Sequence, residues 1–279
     1  MKMGETKLRT ITALIVIPFV IACFFSYSSV IGLVSAVVLL ANYELLRMAL
    51  GNHQNVVLRS GITLITTFSS IMFGYLGKDM IYVFSIYTFS SFLIIVFSLF
   101  VGREENFGKN SIWGIFGLYY ISFNLSMFFP IYRFYGPMNA VFILTVTWIF
   151  DSSAYFVGIK FGKTKIGGKI SPNKSLEGIL GGIVGSFAYT ILFGFISKKF
   201  FNEEIMSIWE AMFFSIALSI FCTFGDLFES SIKRLFGFKD SGAILPGHGG
   251  MLDRIDGLLF SAPGYLLFLL LMRGSRIIW

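Results

Sequence analysis

Long apolar runs dominate this sequence and leave few folds open to it. A membrane-crossing helix needs about 20 residues, within a range of about 17–25. Backbone polar groups must find partners inside the bilayer, so continuously apolar segments of this length predict helices, whereas a closed barrel needs short alternating strands. The sequence predicts an all-α, polytopic integral membrane protein. Its nine segments lie near 9–26, 28–48, 59–75, 80–100, 112–130, 138–158, 178–197, 206–228 and 255–272.

Composition supports a membrane environment. Only 13 % of the residues are charged and 56 % are hydrophobic, against roughly 25 % charged residues in soluble domains. No shift in composition marks a second domain, so we expect one integral membrane domain over residues 1–279. Within it, residues 1–140 form mainly apolar helices and residues 141–279 carry the polar motifs.

The basic residues are distributed unevenly between the two sides of the expected helices. Sixteen of the 22 lysines and arginines fall on the side of the N-terminus. The positive-inside rule makes that side cytoplasmic. We therefore expect a multi-pass protein of the cell membrane whose N-terminus and polar loops, about 159–177 and 229–254, face the cytoplasm, where soluble nucleotides are found.

Two acid pairs lie near helix ends. Asp226 and Glu229 are three residues apart, as are Asp253 and Asp256, and such spacing places each pair on one helical face. Paired carboxylates suit a hard divalent cation such as Mg²⁺. The alternative is that these acids form ion pairs with neighbouring basic residues, namely Lys233, Arg234 and Arg254.

A glycine-rich turn, "PGHGG", separates the two acid pairs at residues 246–250. Its glycines permit unusual dihedral angles and a close approach to a ligand, and such turns can present N–H groups to phosphate oxygens. His248 can hydrogen-bond a phosphate or carry a proton. A purely structural role for this histidine is the alternative.

A second polar stretch, "SPNKSLEG" at residues 171–178, precedes an apolar segment. Hydroxyls and a lysine at a helix N-terminus form a ready anion site, so we expect Ser171, Lys174 and Ser175 to bind one. Asp151 lies well inside the sixth segment, where an ionisable group indicates function. Acids for a cation, lysines for phosphates and a glycine turn, all on one side, together predict a metal–polyphosphate ligand at the membrane edge.

Residues 230–256 resemble the signature of a known family. They read "SSIKRLFGFKDSGAILPGHGGMLDRID", which closely resembles phosphatidate cytidylyltransferases, also called CDP-diacylglycerol synthases. The family pattern is S-x-x-K-R, four residues, K-D, a spacer, and P-x-H-G-G-x-x-D-R-x-D. "SPNKSLEG" and "DSSAYFVG" are also similar to family segments. The matching positions are Ser230, Lys233, Arg234, Lys239, Asp240, Pro246, His248, Gly249, Gly250, Asp253, Arg254 and Asp256.

The resemblance implies transfer of a cytidylyl group from CTP to phosphatidate by a membrane-embedded homodimer that binds no nucleic acid. It implies Mg²⁺ held by Asp226, Asp253 and Asp256, with room for K⁺ beside it. The expected catalytic residues are Asp226, Asp253, Asp256, Lys239 and His248. The expected substrate-binding residues are Ser171, Lys174, Ser175, Lys233, Arg234, Arg254, Gly249 and Gly250.

The chemistry of that reaction agrees with the residues present. Phosphatidate is largely an anion at pH 7 and can attack the α-phosphorus of CTP directly, so no protein nucleophile is needed. Three alternatives remain at this stage: a transporter, another CTP-using membrane enzyme with a different lipid acceptor, and a non-catalytic lipid-binding scaffold.

Overall fold

The computed structural model describes residues 14–51, 56–168, 170–242 and 249–274. Over these residues the chain is mainly helical, and an isolated antiparallel bridge joins Lys165 to Ser175. The helices are α1 Leu14–Cys23, α2 Tyr27–Leu50, α3 Val56–Leu76, α4 Met80–Val101, α5 Phe107–Gly117, α6 Asn124–Ser126, α7 Phe128–Tyr135, α8 Pro137–Phe161, α9 Leu176–Phe201, α10 Ile208–Leu235 and α11 Leu252–Arg273.

Eight helical stretches within the described residues are long and apolar enough to cross a membrane. They confirm the predicted polytopic all-α fold. One of them, Glu104–Tyr135, joins α5, α6 and α7 through a π-helical turn at Leu118–Phe123. The first predicted segment corresponds to the shorter apolar helix α1, and its residues 9–13 lie outside the described part of the chain.

The described residues form two compact units. Those within Met1–Phe129 and Leu235–Ile255 make up unit 1, and those within Pro130–Arg234 and Asp256–Arg276 make up unit 2. The prediction of a single integral membrane domain stays a prediction, and each unit is described by itself.

Buried hydroxyl groups join the helices of unit 1. Ser69 of α3 donates to Ser90 of α4 across 2.7 Å, and Ser70 of α3 lies 2.8 Å from Ser126 of α6. Lipid tails are as apolar as leucine side chains, so hydrophobicity does little to pair helices in a bilayer, and interhelical hydrogen bonds help to hold them. Unit 1 is stabilised in part by such bonds.

In unit 2, α8 and α9 pack through the overlapping GxxxG glycines of α9. A β-carbon on Gly181 would overlap Val157 of α8, and one on Gly182 would overlap the ring of Phe150. Small residues let helices approach closely in lipid. The glycines at these positions therefore serve the close packing of α8 and α9.

Candidate active site

The site in unit 2 is built on a close crossing of α10 and α11. A β-carbon on Gly225 would overlap the backbone carbonyl of Asp256, and the Cα of Gly257 lies 3.2 Å from the same position. Only glycine leaves room for two backbones at this distance. Because Asp226 follows Gly225 directly, the crossing brings Asp226 and Asp256 together on facing helices.

Asp226 is paired with a lysine at this crossing. The ammonium of Lys174 lies 2.8 Å from Oδ2 of Asp226, and the hydroxyl of Ser230 donates to Oδ1 across 3.3 Å. The side chain of Asp226 is 38 % exposed and that of Lys174 is 16 % exposed. The carboxylate is therefore held in place and still accessible to a diffusing ligand.

The loop before α9 positions Lys174. Its backbone N–H donates to the carbonyl of Ser171, and its carbonyl accepts from Ile166, both at 3.1 Å. The next residue, Ser175, caps α9 by accepting from the N–H of Gly178 at 3.2 Å. The ammonium of Lys174 also donates to the backbone carbonyl of Thr223 in α10 at 3.0 Å. The loop thus directs Lys174 to the crossing.

Asp256 is partly buried within a charged neighbourhood. Its Oδ1 accepts from the N–H of Gly257 at 2.8 Å, and Asp226, Lys233 and Lys174 all lie within electrostatic range of its carboxylate. One acid from each predicted pair, Asp226 and Asp256, therefore lies in the same neighbourhood as two lysines.

α8 adds a third acid to this neighbourhood. Oδ2 of Asp151 and Sγ of Cys222 lie 3.8 and 3.7 Å from the position that a β-carbon on Gly257 would take. The sequence predicted that Asp151 lies within a helix and is functional, without assigning it a role. The structure places it beside the crossing of α10 and α11.

Glu229 has a different environment from Asp226. Its carboxylate is fully buried and lies 2.6 Å from the ammonium of Lys233, one helical turn later. The ion-pair alternative is therefore correct for Glu229. The substrate-binding role of Lys233 stays a prediction.

The chemistry of the acid pair fits Mg²⁺ that arrives with a polyphosphate. Within the described ranges, no cluster of three or more histidine, cysteine, aspartate or glutamate residues could hold a metal ion. Mg²⁺ is commonly held by one or two carboxylates together with substrate phosphates, rather than by an all-protein cage. Asp226 and Asp256 offer the required hard oxygen atoms, and their metal-binding role stays a prediction.

Asp253 of unit 1 contacts described residues on both sides of the glycine-rich turn, a region called the glycine loop below. Its Oδ2 accepts from the N–H of Gly250 at 2.9 Å and from the N–H of Ser241 at 3.0 Å, and the hydroxyl oxygen of Ser241 lies 3.0 Å from the same atom. Gly249 has φ of +82°, a left-handed conformation that favours glycine. These contacts do not test the predicted metal-binding role of Asp253, which stays a prediction.

Sequence reasoning missed Glu44 of α2 as a partner of this loop. Its buried carboxylate accepts from the N–H groups of Met251 and Leu252 at 3.0 and 2.9 Å, and from the hydroxyl of Ser241 at 2.9 Å. Arg47, one turn later on α2, donates to the carbonyl of Ser241 at 2.8 Å. The available signal was an acid within a long apolar segment, which marks a functional position in membrane proteins.

The other predicted residues are placed as follows. Arg234, Lys239 and Arg254 are exposed, and Ser171 is half-buried in the loop before α9. His248 lies outside the described residues, so its predicted role stays a prediction.

Comparison with known proteins gives a consistent result. A sequence model described as the cytidylyltransferase family matches residues 7–272. A protein from Thermotoga maritima named phosphatidate cytidylyltransferase is 43 % identical over 272 residues, which cover 96 % of this chain and 98 % of that protein.

Shorter matches bear the same name. The protein from Staphylococcus haemolyticus is 43 % identical over 137 residues, covering 49 % of this chain and 51 % of its own length. The protein from Staphylococcus aureus is 40 % identical over 148 residues, covering 53 % and 54 %. Because the family match and the Thermotoga maritima match extend over nearly the whole sequence, the chain belongs to the cytidylyltransferase family, a family of nucleotidyl-transferring enzymes.

Proposed function

We propose that this enzyme transfers the cytidylyl group of CTP to phosphatidate, giving CDP-diacylglycerol and pyrophosphate. The name of the relatives at 40–43 % identity supports this substrate pair. The observation that carries the proposal is the α10–α11 crossing, where Asp226 and Asp256 meet beside Lys174. Two acids and a lysine at one point suit a ligand that combines a cation with phosphates.

The reaction needs no protein nucleophile. A phosphate monoester has its second pKa near about 6, so the phosphate of phosphatidate is largely doubly charged at pH 7. One of its oxygens forms the new bond to the α-phosphorus of CTP, while the bond from that phosphorus to the bridging oxygen of the β-phosphate breaks and pyrophosphate leaves. The difficulty is the approach of two polyanions, so catalysis depends on positioning and charge neutralisation.

In unit 2 we assign the acids to binding the cation and the lysine to reducing repulsion between the acids and phosphate. Asp226 and Asp256 would hold Mg²⁺, which neutralises phosphate charge and stabilises the leaving pyrophosphate when bound. Lys174 places a positive charge beside Asp226 and limits the repulsion between that acid and an incoming phosphate. A monovalent cation such as K⁺ beside the Mg²⁺ belongs to the same proposal.

The signature residues supply further phosphate contacts in this proposal. Backbone N–H groups at a glycine turn bind phosphate oxygens well, and basic side chains add charge-assisted hydrogen bonds. The residues assigned to phosphate are Lys233, Arg234, Lys239, Gly249, Gly250 and Arg254. His248 is assigned to hydrogen bonding of a phosphate or to proton transfer.

We place the enzyme in the cell membrane as a homodimer, with its catalytic loops toward the cytoplasm. The excess of lysine and arginine on one side supports this orientation. Phosphatidate keeps its acyl chains in the bilayer, so an enzyme built within the membrane can meet the headgroup where it lies.

The proposal is tested with purified protein, phosphatidate and CTP labelled at either the α- or the γ-phosphate. We expect label from the α-phosphate to enter the lipid and label from the γ-phosphate to leave as pyrophosphate. A lipid kinase would give the opposite pattern, because kinases transfer the γ-phosphate. Transfer of γ-label to lipid, or no lipid labelling at all, would exclude the proposed reaction.

The metal and acceptor are tested in the same assay. Excess chelator should abolish lipid labelling, and added Mg²⁺ should restore it. Diacylglycerol in place of phosphatidate should give no product, because it lacks the attacking phosphate. Full activity in chelator would rule out the metal assignment and leave the substrate assignment standing.

A further inference from the structure

α2 directs a buried carboxylate at the glycine loop of unit 1. Glu44 is 1 % exposed. Its Oε1 accepts from the N–H of Met251 at 3.0 Å, and its Oε2 accepts from the N–H of Leu252 at 2.9 Å. A buried ionised group needs such donors, and here they come from the backbone of the signature region.

These donors belong to the start of α11. Leu252 is the first residue of that helix, and the first N–H groups of a helix have no partner within it. A carboxylate at this end also interacts favourably with the helix dipole. Because Glu44 is 208 residues earlier than Leu252, it is a long-range cap supplied by another helix.

α2 also holds the other end of the loop. The hydroxyl of Ser241 lies 2.9 Å from Oε2 of Glu44 and 3.0 Å from Oδ2 of Asp253. The carbonyl of Ser241 accepts from Arg47 at 2.8 Å. Contacts from α2 therefore fix Ser241, where the loop begins, and Met251, where it ends.

The loop backbone closes directly on this carboxylate. A β-carbon on Gly242 would overlap Oε1 of Glu44, and one on Gly250 would overlap the hydroxyl of Ser241 and approach Oε2 of Glu44 to 2.6 Å. A side chain larger than that of glycine therefore does not fit at either position without displacing the carboxylate of Glu44. The position of Glu44 sets the course of the backbone on either side of it.

We infer that Glu44 is a positioning residue for the CTP-binding loop, acting with Arg47 to fix Gly249, Gly250 and Asp253. The inference rests on the proposed function only in assigning that loop to CTP. Glu44 acts through backbone N–H groups and Ser241, and its carboxylate is fully engaged by them. Its loss should therefore weaken the binding of the nucleotide rather than that of the lipid.

Glu44→Gln tests this without changing the size of the side chain. The amide replaces one acceptor oxygen with an NH₂ group that faces a backbone N–H donor. We expect the KM for CTP to rise about tenfold, the loss of one buried hydrogen bond, with the KM for phosphatidate unchanged. Glu44→Asp keeps the charge and both acceptor oxygens, and should give a KM for CTP between those of the wild type and Glu44→Gln.

Leu45→Ala is the matched control. Leu45 is the next residue on α2 and is fully buried, and its Cδ2 lies 3.4 Å from the position that a β-carbon on Gly117 of α5 would take. Its truncation therefore destabilises the packing of α2. We expect a lower Tm with an unchanged KM for CTP. A rise in the KM for CTP in Leu45→Ala equal to that in Glu44→Gln would overturn the inference, since general destabilisation would then explain both.

Amide hydrogen exchange at residues 250–252 gives a readout that needs no activity. We expect faster exchange in Glu44→Gln and wild-type exchange in Leu45→Ala. If Glu44→Gln does not fold, Ser241→Ala removes the hydroxyl between the two carboxylates and should also speed exchange. Wild-type exchange together with a wild-type KM for CTP would overturn the inference. If the wild-type enzyme forms no CDP-diacylglycerol, the proposed function alone fails, and the exchange comparison still decides whether Glu44 holds the loop.

Discussion

The acids of this protein differ in what surrounds each carboxylate. Glu229 is fully buried against Lys233, and Glu44 is buried against backbone N–H groups. Asp226 also has a lysine partner, yet more than a third of its side chain is exposed. A buried acid held by such partners maintains structure, whereas an accessible one can exchange its partner for a ligand.

Asp226→Asn and Glu229→Gln form a matched pair of neutralising variants on α10. Asp226→Asn should lose activity by about 100-fold or more, because positioned charge supplies most of the transition-state stabilisation in such reactions. Its stability should fall by no more than about 1 kcal/mol, since the pair is partly exposed. The measurements are initial rates and thermal unfolding in detergent. Normal turnover by Asp226→Asn would remove the acid from the mechanism.

Glu229→Gln should behave in the opposite way. Removing one member of a buried ion pair costs about 3–5 kcal/mol, so we expect a clearly lower unfolding temperature. Activity per folded molecule should stay closer to that of the wild type than in Asp226→Asn. If Glu229→Gln unfolds at the wild-type temperature, the pair with Lys233 does not stabilise the fold.

The sequence nominated individual site residues from their spacing to near neighbours in the chain. The spacing of the acids near helix ends nominated Asp226 and Asp256 among four candidates for a cation, and "SPNKSLEG" nominated Lys174 for an anion. The contact between Lys174 and Asp226 was not predicted. Glu44 could not be nominated as a partner of the loop, because its acceptor contacts are with residues 207 and 208 positions away. Local sequence contains no information on which distant backbone groups a buried acid meets.

At the scale of helices, the apolar runs in the sequence predicted which segments are helical. They predicted less accurately the residues at which those helices end. α10 continues to Leu235, beyond the predicted end at 228, because the apolar run stops before the polar residues of the last two turns. Within those turns Glu229 and Lys233 form an ion pair one turn apart, which favours the helix. The π-helical turn within Glu104–Tyr135 was also missed. A π-turn depends on local hydrogen bonding and leaves no hydropathy signal.

Gly225→Ala should separate α10 from α11. The added methyl group would overlap the carbonyl of Asp256, so the helices must move apart and the two acids with them. We expect an activity loss of about 100-fold, since small misplacements of catalytic groups have effects of this size, together with a lower Tm.

Gly194→Ala is the control for this substitution. Gly194 lies within α9, and a β-carbon there meets nothing within 4 Å, so the change should preserve activity and Tm. Equal effects of the two substitutions would show that the close crossing has no special role.

For the whole molecule, the strongest prediction from sequence is its orientation. α9 is long and apolar enough to cross a membrane, and both Asn173 before it and Lys199 near its end are exposed. The distribution of lysine and arginine predicts that Asn173 lies on the cytoplasmic side and Lys199 on the opposite side.

Cysteine labelling checks this orientation. In a variant with Cys23→Ser and Cys222→Ala that keeps activity, Asn173→Cys should react with an impermeant maleimide only in inside-out vesicles. Lys199→Cys should react only in right-side-out vesicles. The reverse pattern would place the signature loops outside the cell, away from CTP.

The long-range contact between α2 and the start of α11 has a consequence for how the chain is made. Glu44 leaves the ribosome more than two hundred residues before the N–H groups that it accepts from. Until α11 follows, α2 must carry a carboxylate through membrane insertion without those partners, which is costly in hydrocarbon. The nascent protein therefore gains the contacts between Glu44 and the start of α11 only after Leu252 has been made, so a chain that stops shortly before residue 250 contains α1 to α10 without them.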